Sequence, residues 1–98
     1  MNIQAMMKQA QKLQKDMMDA KKQIDETTFE VTKSFVTVTA KGNKKIESIK
    51  IAIDTLDHDE IEMVQDLIQV AVNELMDKID SEVENKMGKY TQGMPGLF

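Results

Sequence analysis

The sequence contains no cysteine, no tryptophan and no arginine, and its 98 residues include one histidine and one proline. A chain without cysteine forms no disulfide, no thiolate zinc site and no cysteine nucleophile. One histidine excludes a metal site built from two histidines of the same chain. No apolar run approaches the ~18 residues of a membrane span, and the N-terminus has no secretion signal. We therefore expect a cytoplasmic protein that does not bind membranes and is not an enzyme.

Charge is present in quantity but divided unevenly along the chain. Charged residues make up 31% of the sequence and the formal net charge is −4. Residues 1–50 contain ten lysines and six acidic residues, whereas residues 51–98 contain three lysines and eleven acidic residues. Such polarity is typical of a surface for polyanions or of two surfaces that attract each other. The alternative is that the charges only solvate helix faces.

Residues 2–25 have the pattern of one long amphipathic helix. Steps of three and four residues connect a heptad seam, which consists of Ile3, Met6, Ala10, Leu13, Met17, Ala20 and Ile24. This is the spacing that two helices use to pack side by side. The seam belongs either to the core of the same chain or to a contact with a partner chain. We favour a dimer interface made by Ile3, Met6, Ala10, Leu13 and Met17.

The opposite face of this predicted helix carries a row of lysines. At about 100° per residue, four lysines fall in one narrow stripe; they are Lys8, Lys12, Lys15 and Lys22, here called the lysine row. Asp19 is the one acidic residue that we place in the stripe.

Residues 28–54 change to the alternation of β-strands. Apolar residues at every second position, such as Val36, Val38, Ile49 and Ile51, predict a three-stranded antiparallel meander with one covered face. Gly42-Asn43 is a signal for a two-residue hairpin loop.

A second amphipathic helix is predicted from about residue 58 to residue 87, with Asp57 and Glu60 arranged as in a capping box. The order helix, strands, helix defines an α+β fold. A small sheet is too short to bury two long helices, so we expect a second copy of the chain to cover the remaining apolar surface.

Three stretches of the sequence resemble the YbaB/EbfC family of nucleoid-associated proteins. Met6–Lys15 (MMKQAQKLQK) is similar to the opening helix of the family, and Gly42–Asp54 to its hairpin and last strand. Asp66–Asn73 matches the "DLI-x-x-A-x-N" signature, followed by Lys86-Met87-Gly88 and a tail with glycine, methionine and proline. The resemblance covers nearly the whole chain. We therefore expect one domain over residues 1–89 and a flexible tail over residues 90–98.

The resemblance implies a homodimer whose helical arms project from a sheet-containing body and which binds double-stranded DNA in the bacterial nucleoid. It implies DNA contacts by Lys8, Lys12, Lys15 and Lys22 on the first helix and by Lys86 and Lys89 near the end of the second. The sequence departs from the family pattern at two turns: Thr32-Lys33-Ser34 replaces a glycine-rich step, and Thr55 follows Asp54 where proline is common.

The residue types limit the kind of DNA binding that is expected. Lysine suits phosphate, whereas bidentate contacts to guanine favour arginine, so binding should be weakly selective for sequence. We expect no cofactor, no metal and no small-molecule substrate, and the trio Asp57-His58-Asp59 is better explained as an exposed helix start than as a metal site. The alternative function is a dimeric adaptor that binds proteins and uses its lysines only for solubility.

Overall fold

The computed structural model describes residues 2–91. Its elements are, in chain order, α1 (Ile3–Glu26), β1 (Thr28–Lys33), β2 (Val36–Lys41), β3 (Ile46–Ile51), a 3₁₀ turn (His58–Glu60) and α2 (Ile61–Thr91). This arrangement confirms the predicted α+β fold with a three-stranded antiparallel sheet. Tyr90 and Thr91 continue α2, and the rest of the predicted tail lies outside the described residues.

Local hydrogen bonds define both ends of α1. The side-chain oxygen of Asn2 accepts from the backbone N–H groups of Gln4 at 3.0 Å and Ala5 at 3.4 Å, which satisfies two donors that a helix start leaves free. At the other end, the Thr27 hydroxyl donates to the Gln23 carbonyl at 2.6 Å, and the backbone of Thr27 is extended. No glycine or proline interrupts the residues between them.

The core lies between α2 and two of the three strands. The strand order is β1-β2-β3 with antiparallel neighbours. α2 packs across β1 and β2, and the buried side chains in this layer are Phe29, Val31, Val36, Val38, Ala40, Ala71, Leu75 and Ile79. The alternation in β2 is regular, with Val36, Val38 and Ala40 fully buried and the residues between them half-buried.

The turns differ in detail from the sequence prediction. The backbone N–H of Lys44 donates to the carbonyl oxygen of Lys41 at 2.8 Å. The backbone N–H of Lys41 donates to the carbonyl oxygen of Lys45 at 3.2 Å. The hairpin loop therefore contains residues 42–44, with Lys44 at φ 70°, so the predicted two-residue Gly-Asn loop is wrong. The capping box is wrong as well, since the Asp57 side chain makes no capping hydrogen bond.

The molecule is elongated, with extents of 72 × 20 × 14 Å. α1 joins the body through its C-terminal end, where Ile24 is buried and Met17 and Ala20 are half-buried, while residues 3–16 are exposed. This exposed half of α1 is the projecting arm that was expected. Within residues 2–91, neither long helix has the apolar stretch that crossing a bilayer requires.

Gly42 is the point where the hairpin touches the end of α1, and we predict that Gly42→Ala destabilises the protein. A Cβ atom at residue 42 would lie 1.9 Å from the carbonyl oxygen of Ile24. Overpacking of this kind costs about 1–3 kcal/mol, so the free energy of unfolding in urea should fall by that amount.

Gly88→Ala is the matched control, because a Cβ atom there meets nothing within 4 Å. Since alanine is favoured over glycine inside a helix by about 0.5–1 kcal/mol, this variant should be at least as stable as wild type. A Gly42→Ala protein that is as stable as wild type would contradict the close approach.

We predict that Ser34→Gly stabilises the β1–β2 turn. Ser34 has φ 55°, a conformation that costs non-glycine residues about 1–2 kcal/mol. The greater chain entropy of glycine offsets part of this gain, which leaves about 0.5–1 kcal/mol. Urea unfolding measures the change, and a loss of stability would show that the turn is not strained.

Candidate nucleic-acid interface

The lysine row lies along α1 as the sequence predicts. Lys8, Lys12, Lys15 and Lys22 are all exposed, whereas the buried side of the same helix carries Ile24. Because α2 packs on that buried side, the row points away from α2. At 1.5 Å per residue, Lys8 and Lys22 are separated by about 21 Å along the helix axis, a length of about six base pairs of duplex.

The four ammonium groups of the lysine row form no ion pairs among the described residues. Within residues 2–91, the lysines that form ion pairs are Lys21, Lys33, Lys44 and Lys86, so no member of the row is among them. Asp19 is exposed within the row and forms no ion pair in the described part of the chain. Lys21, on another side of α1, is held by Asp25 at 2.8 Å.

The two lysines predicted on α2 have local partners. Lys86 Nζ lies 3.6 Å from a carboxylate oxygen of Glu82. Lys89 Nζ lies 4.9 Å from the ring centre of Tyr90, in the geometry of a cation–π contact. The structure thus places the lysine row on one exposed face of α1. The two predicted lysines of α2 lie on a different helix and contact Glu82 and Tyr90.

The heptad seam divides into two parts. At its C-terminal end Ile24 is buried against the body, so the interpretation as core of the same chain applies there. Toward the N-terminus, Ile3, Met6 and Leu13 are 72%, 50% and 46% exposed. These apolar side chains lie in solvent on the face opposite the lysine row.

Acidic residues of α2 form ion pairs with a lysine of β1 and a lysine of the β2–β3 hairpin loop. Lys33 pairs with Glu74, and Lys44 pairs with Asp80. The lysine row of α1 therefore keeps its charge without ion pairs among the described residues, while the cations of the body are partly neutralised. Among the described residues no polar or charged side chain is buried, and no three potential metal ligands gather at one point.

One exposed feature of the structure was missed by the sequence patterns. Ile49 and Ile51 of β3 were assigned to a covered face, but they are 45% and 39% exposed. Three strands spaced ~4.8 Å apart, with their side chains, are wider than one helix of ~10 Å diameter. The difference in width between the sheet and α2 could have indicated that β3, an edge strand, would not be covered by the helix.

Comparisons with known proteins find similar sequences over nearly the whole chain. The family described as "YbaB/EbfC DNA-binding family" matches residues 1–94. A "Nucleoid-associated protein" of Enterococcus faecalis is 43% identical over 98 residues, which cover 98% of this chain and 94% of the relative. The similar protein of Oceanobacillus iheyensis is 45% identical over 101 residues, covering 99% and 97%. That of Clostridium novyi is 44% identical over 102 residues, covering 100% and 90%.

Proposed function

The chain belongs to the YbaB/EbfC DNA-binding family, and we propose that it binds duplex DNA as a homodimer, mainly through lysine ammonium groups on phosphates. The observation that carries this proposal is the lysine row: four exposed cations on one face of α1, without ion pairs among the described residues. The relatives are named nucleoid-associated proteins, so we place this chain in the cytoplasm at the nucleoid as well. We propose no catalytic role.

The mechanism is electrostatic. Each ammonium group that approaches a phosphate releases a condensed counterion, and this release favours binding at low salt. Lysine offers a mobile point charge rather than the planar fork that recognises guanine, and the chain has no arginine. Phosphate contacts orient a protein on DNA without specifying its sequence. Weak sequence selectivity follows from this chemistry.

The positions of the acidic residues on α2 support the proposal that DNA approaches the lysine row. Glu74 and Asp80 of α2 pair with lysines of the body, while the lysine row points away from α2. A duplex placed on the row therefore meets cations first and avoids the acids of the body. Lys86 and Lys89, which are exposed near the end of α2, are proposed as additional phosphate contacts.

The exposed part of the heptad seam supports a homodimer. Ile3, Met6, Ala10 and Leu13 are exposed and Met17 is half-buried, and together they form one apolar ridge. An identical helix offers the matching heptad spacing. A contact between two seams leaves both lysine rows uncovered, because each row lies on the opposite face of its helix. We propose these five residues as a dimer interface.

The exposed seam also favours a second candidate function, a dimeric adaptor that binds other proteins. Apolar residues in solvent mark sites of protein contact as well as of self-association. A DNA titration separates the two functions, since an adaptor would show no retention of duplex DNA even at low salt.

We predict a steep salt dependence of DNA affinity that originates in the lysine row. With four to eight phosphate contacts, log affinity should fall against log salt with a slope of about −4 to −7. Lys12→Glu should weaken binding at least tenfold and make the slope shallower, as measured by fluorescence anisotropy of a labelled duplex. Replacing Lys8, Lys12, Lys15 and Lys22 together by glutamate should abolish binding.

Lys50→Glu is the matched control because it makes the same charge change at an exposed lysine of the body, on β3. It should reduce affinity less than threefold. If Lys12→Glu and Lys50→Glu reduced DNA affinity equally, binding would depend on the net charge of the protein rather than on the lysine row.

We further predict that Asp19→Asn strengthens DNA binding. Asp19 is exposed between Lys15 and Lys22 in the stripe, so its carboxylate repels phosphate. Affinity at low salt should rise about two- to fivefold, an effect that shrinks as salt screens the charge. Asp54→Asn removes an exposed carboxylate from the body and should change affinity less. An unchanged affinity for Asp19→Asn would show that DNA does not lie along this face.

A further inference from the structure

An open groove lies beside the N-terminal part of α2, on the flank of the helix that faces β1. Its apolar side chains are accessible, since Met63 is 44% and Val70 is 51% exposed. Three carboxylates in the same groove are exposed as well. We call this surface the acidic groove; its residues are Asp59, Glu62, Met63, Asp66, Leu67 and Val70.

The carboxylates of the acidic groove form no ion pair within residues 2–91. The acidic residues that do so in this range are Asp25, Glu74, Asp80 and Glu82. Lys33 also lines the groove, but its ammonium group pairs with Glu74. The groove therefore combines exposed apolar surface with unpaired negative charge, and such a surface is complementary to a helix that carries apolar and cationic side chains together.

The first helix carries the complementary pattern. At about 100° per residue, Met7 and Met18 lie on a flank of α1 between the heptad seam and the lysine row. They are 58% and 62% exposed. Three members of the lysine row lie beside them on the exposed half of the helix, namely Lys8, Lys12 and Lys15. This flank of α1 thus presents apolar side chains next to ammonium groups.

The charges of the two surfaces have the same spacing. Lys8 and Lys15 are seven residues apart, and so are Asp59 and Asp66, which corresponds to about 10–12 Å in each case. One further lysine of the row and one further carboxylate of the groove lie between these ends. Three ammonium groups can therefore meet three carboxylates when the arm packs along the groove.

The arm of the same chain does not occupy the acidic groove. α1 joins the body at the hairpin end of the sheet, where the carbonyl oxygen of Thr27 accepts from the backbone N–H of Gly42 at 3.0 Å. The groove lies at the other end of β1, beside Lys33, and none of its described lining residues belongs to α1. An arm that fills the groove therefore comes from another copy.

We propose that the acidic groove binds the lysine-bearing arm of another copy of this chain. The occupant has to bring cations at the matching spacing beside apolar side chains, and every molecule supplies such an arm. Because the arm and the groove are different surfaces, the contact is heterologous and links molecules head to tail. It is separate from the heptad seam, which lies on another face of α1.

This contact is weak and depends on salt. Exposed ion pairs contribute little individually and are screened by ions, so the contact forms at low salt and at high protein concentration. The same ammonium groups are proposed above to bind phosphate, so DNA and the groove compete for the arm. The competition rests on the proposed function, whereas the contact itself requires no DNA.

Sedimentation velocity in the absence of DNA tests the contact. At high protein concentration, the average mass of wild type should be at least about twofold higher at low salt than at moderate salt. Glu62→Lys should remove this increase and keep the wild-type mass at moderate salt. The variant should fold, because Glu62 is exposed, and circular dichroism verifies this. A wild-type mass that does not change with salt would overturn the proposal.

Glu84→Lys is the matched control for Glu62→Lys. It makes the same charge change at an exposed residue of α2, about 27 Å along the helix axis from Asp66. Both variants move the net charge by +2, from −4 to −2, so an effect of net charge alone would be equal in the two. Glu84→Lys should retain the increase in mass at low salt. Equal loss in both variants would overturn the proposal.

A charge swap separates this contact from DNA binding. Lys12→Glu alone should also lose the increase in mass, and Lys12→Glu combined with Glu62→Lys should recover it, because the pair is restored with opposite polarity. The double variant should still bind DNA weakly. Failure of the double variant to recover would overturn the arm contact. Recovery in a protein whose wild type does not bind DNA would support the arm contact and contradict only the proposed function.

Carbodiimide cross-linking identifies the two residues that meet. This reagent joins an amine to an adjacent carboxylate through an amide bond, with loss of water. In a mixture of unlabelled and isotope-labelled wild type at low salt, mass spectrometry should find Lys12 joined to Glu62 in cross-links that contain one labelled and one unlabelled peptide. The absence of such mixed cross-links would overturn the proposal.

Discussion

The packing of α2 against β1 and β2 is the contact on which the other features depend. Ala71, Leu75 and Ile79 are fully buried in this layer, and the small side chain of Ala71 lets the helix approach β2 closely. α2 is much longer than the strands and also packs against α1. Met87, near the C-terminal end of α2, is buried. One helix thus closes the core and anchors the arm. Its width, about that of two strands, determines which side of the sheet stays open.

The same packing explains how an acidic protein presents a basic surface. α2 brings its carboxylates within reach of the body, so Lys33 and Lys44 form ion pairs. The lysine row lies beyond this reach on the outer face of α1. The net charge of −4 is therefore a poor guide to the local potential, because the lysine row and the acidic residues of α2 lie on different helices. Local clusters, rather than the total, determine what approaches a surface.

Much of the fold could be predicted from the spacing of apolar residues. A spacing of two residues indicates a strand, a spacing of three to four indicates a helix, and each shows which side chains share a face. Spacing does not state whether a face is covered. Ile49 and Ile51 share a face with the core but extend beyond α2, and the heptad seam is buried at Ile24 yet exposed at Ile3. The lysine row could be predicted because it depends on one helix alone. The ion pair of Lys86 could not be predicted, because it depends on the side-chain rotamer. The three-residue hairpin loop could not be predicted either, because it requires a positive φ at Lys44, and lysine is not a residue type that indicates this conformation.

In the proposed homodimer, self-association and DNA binding would be connected, because a single lysine contact with phosphate is weak. Electrostatic affinity grows with the number of phosphates neutralised, and one chain offers four lysines in its row. Joining two chains doubles that number, and the second row then binds as an intramolecular event at high effective concentration. The exposed seam lies on the face of α1 opposite the row, so the proposed dimer contact covers apolar residues without covering lysines. In the proposed homodimer, the apolar surface of the exposed seam would therefore raise the affinity for DNA by joining two rows of weak cationic contacts.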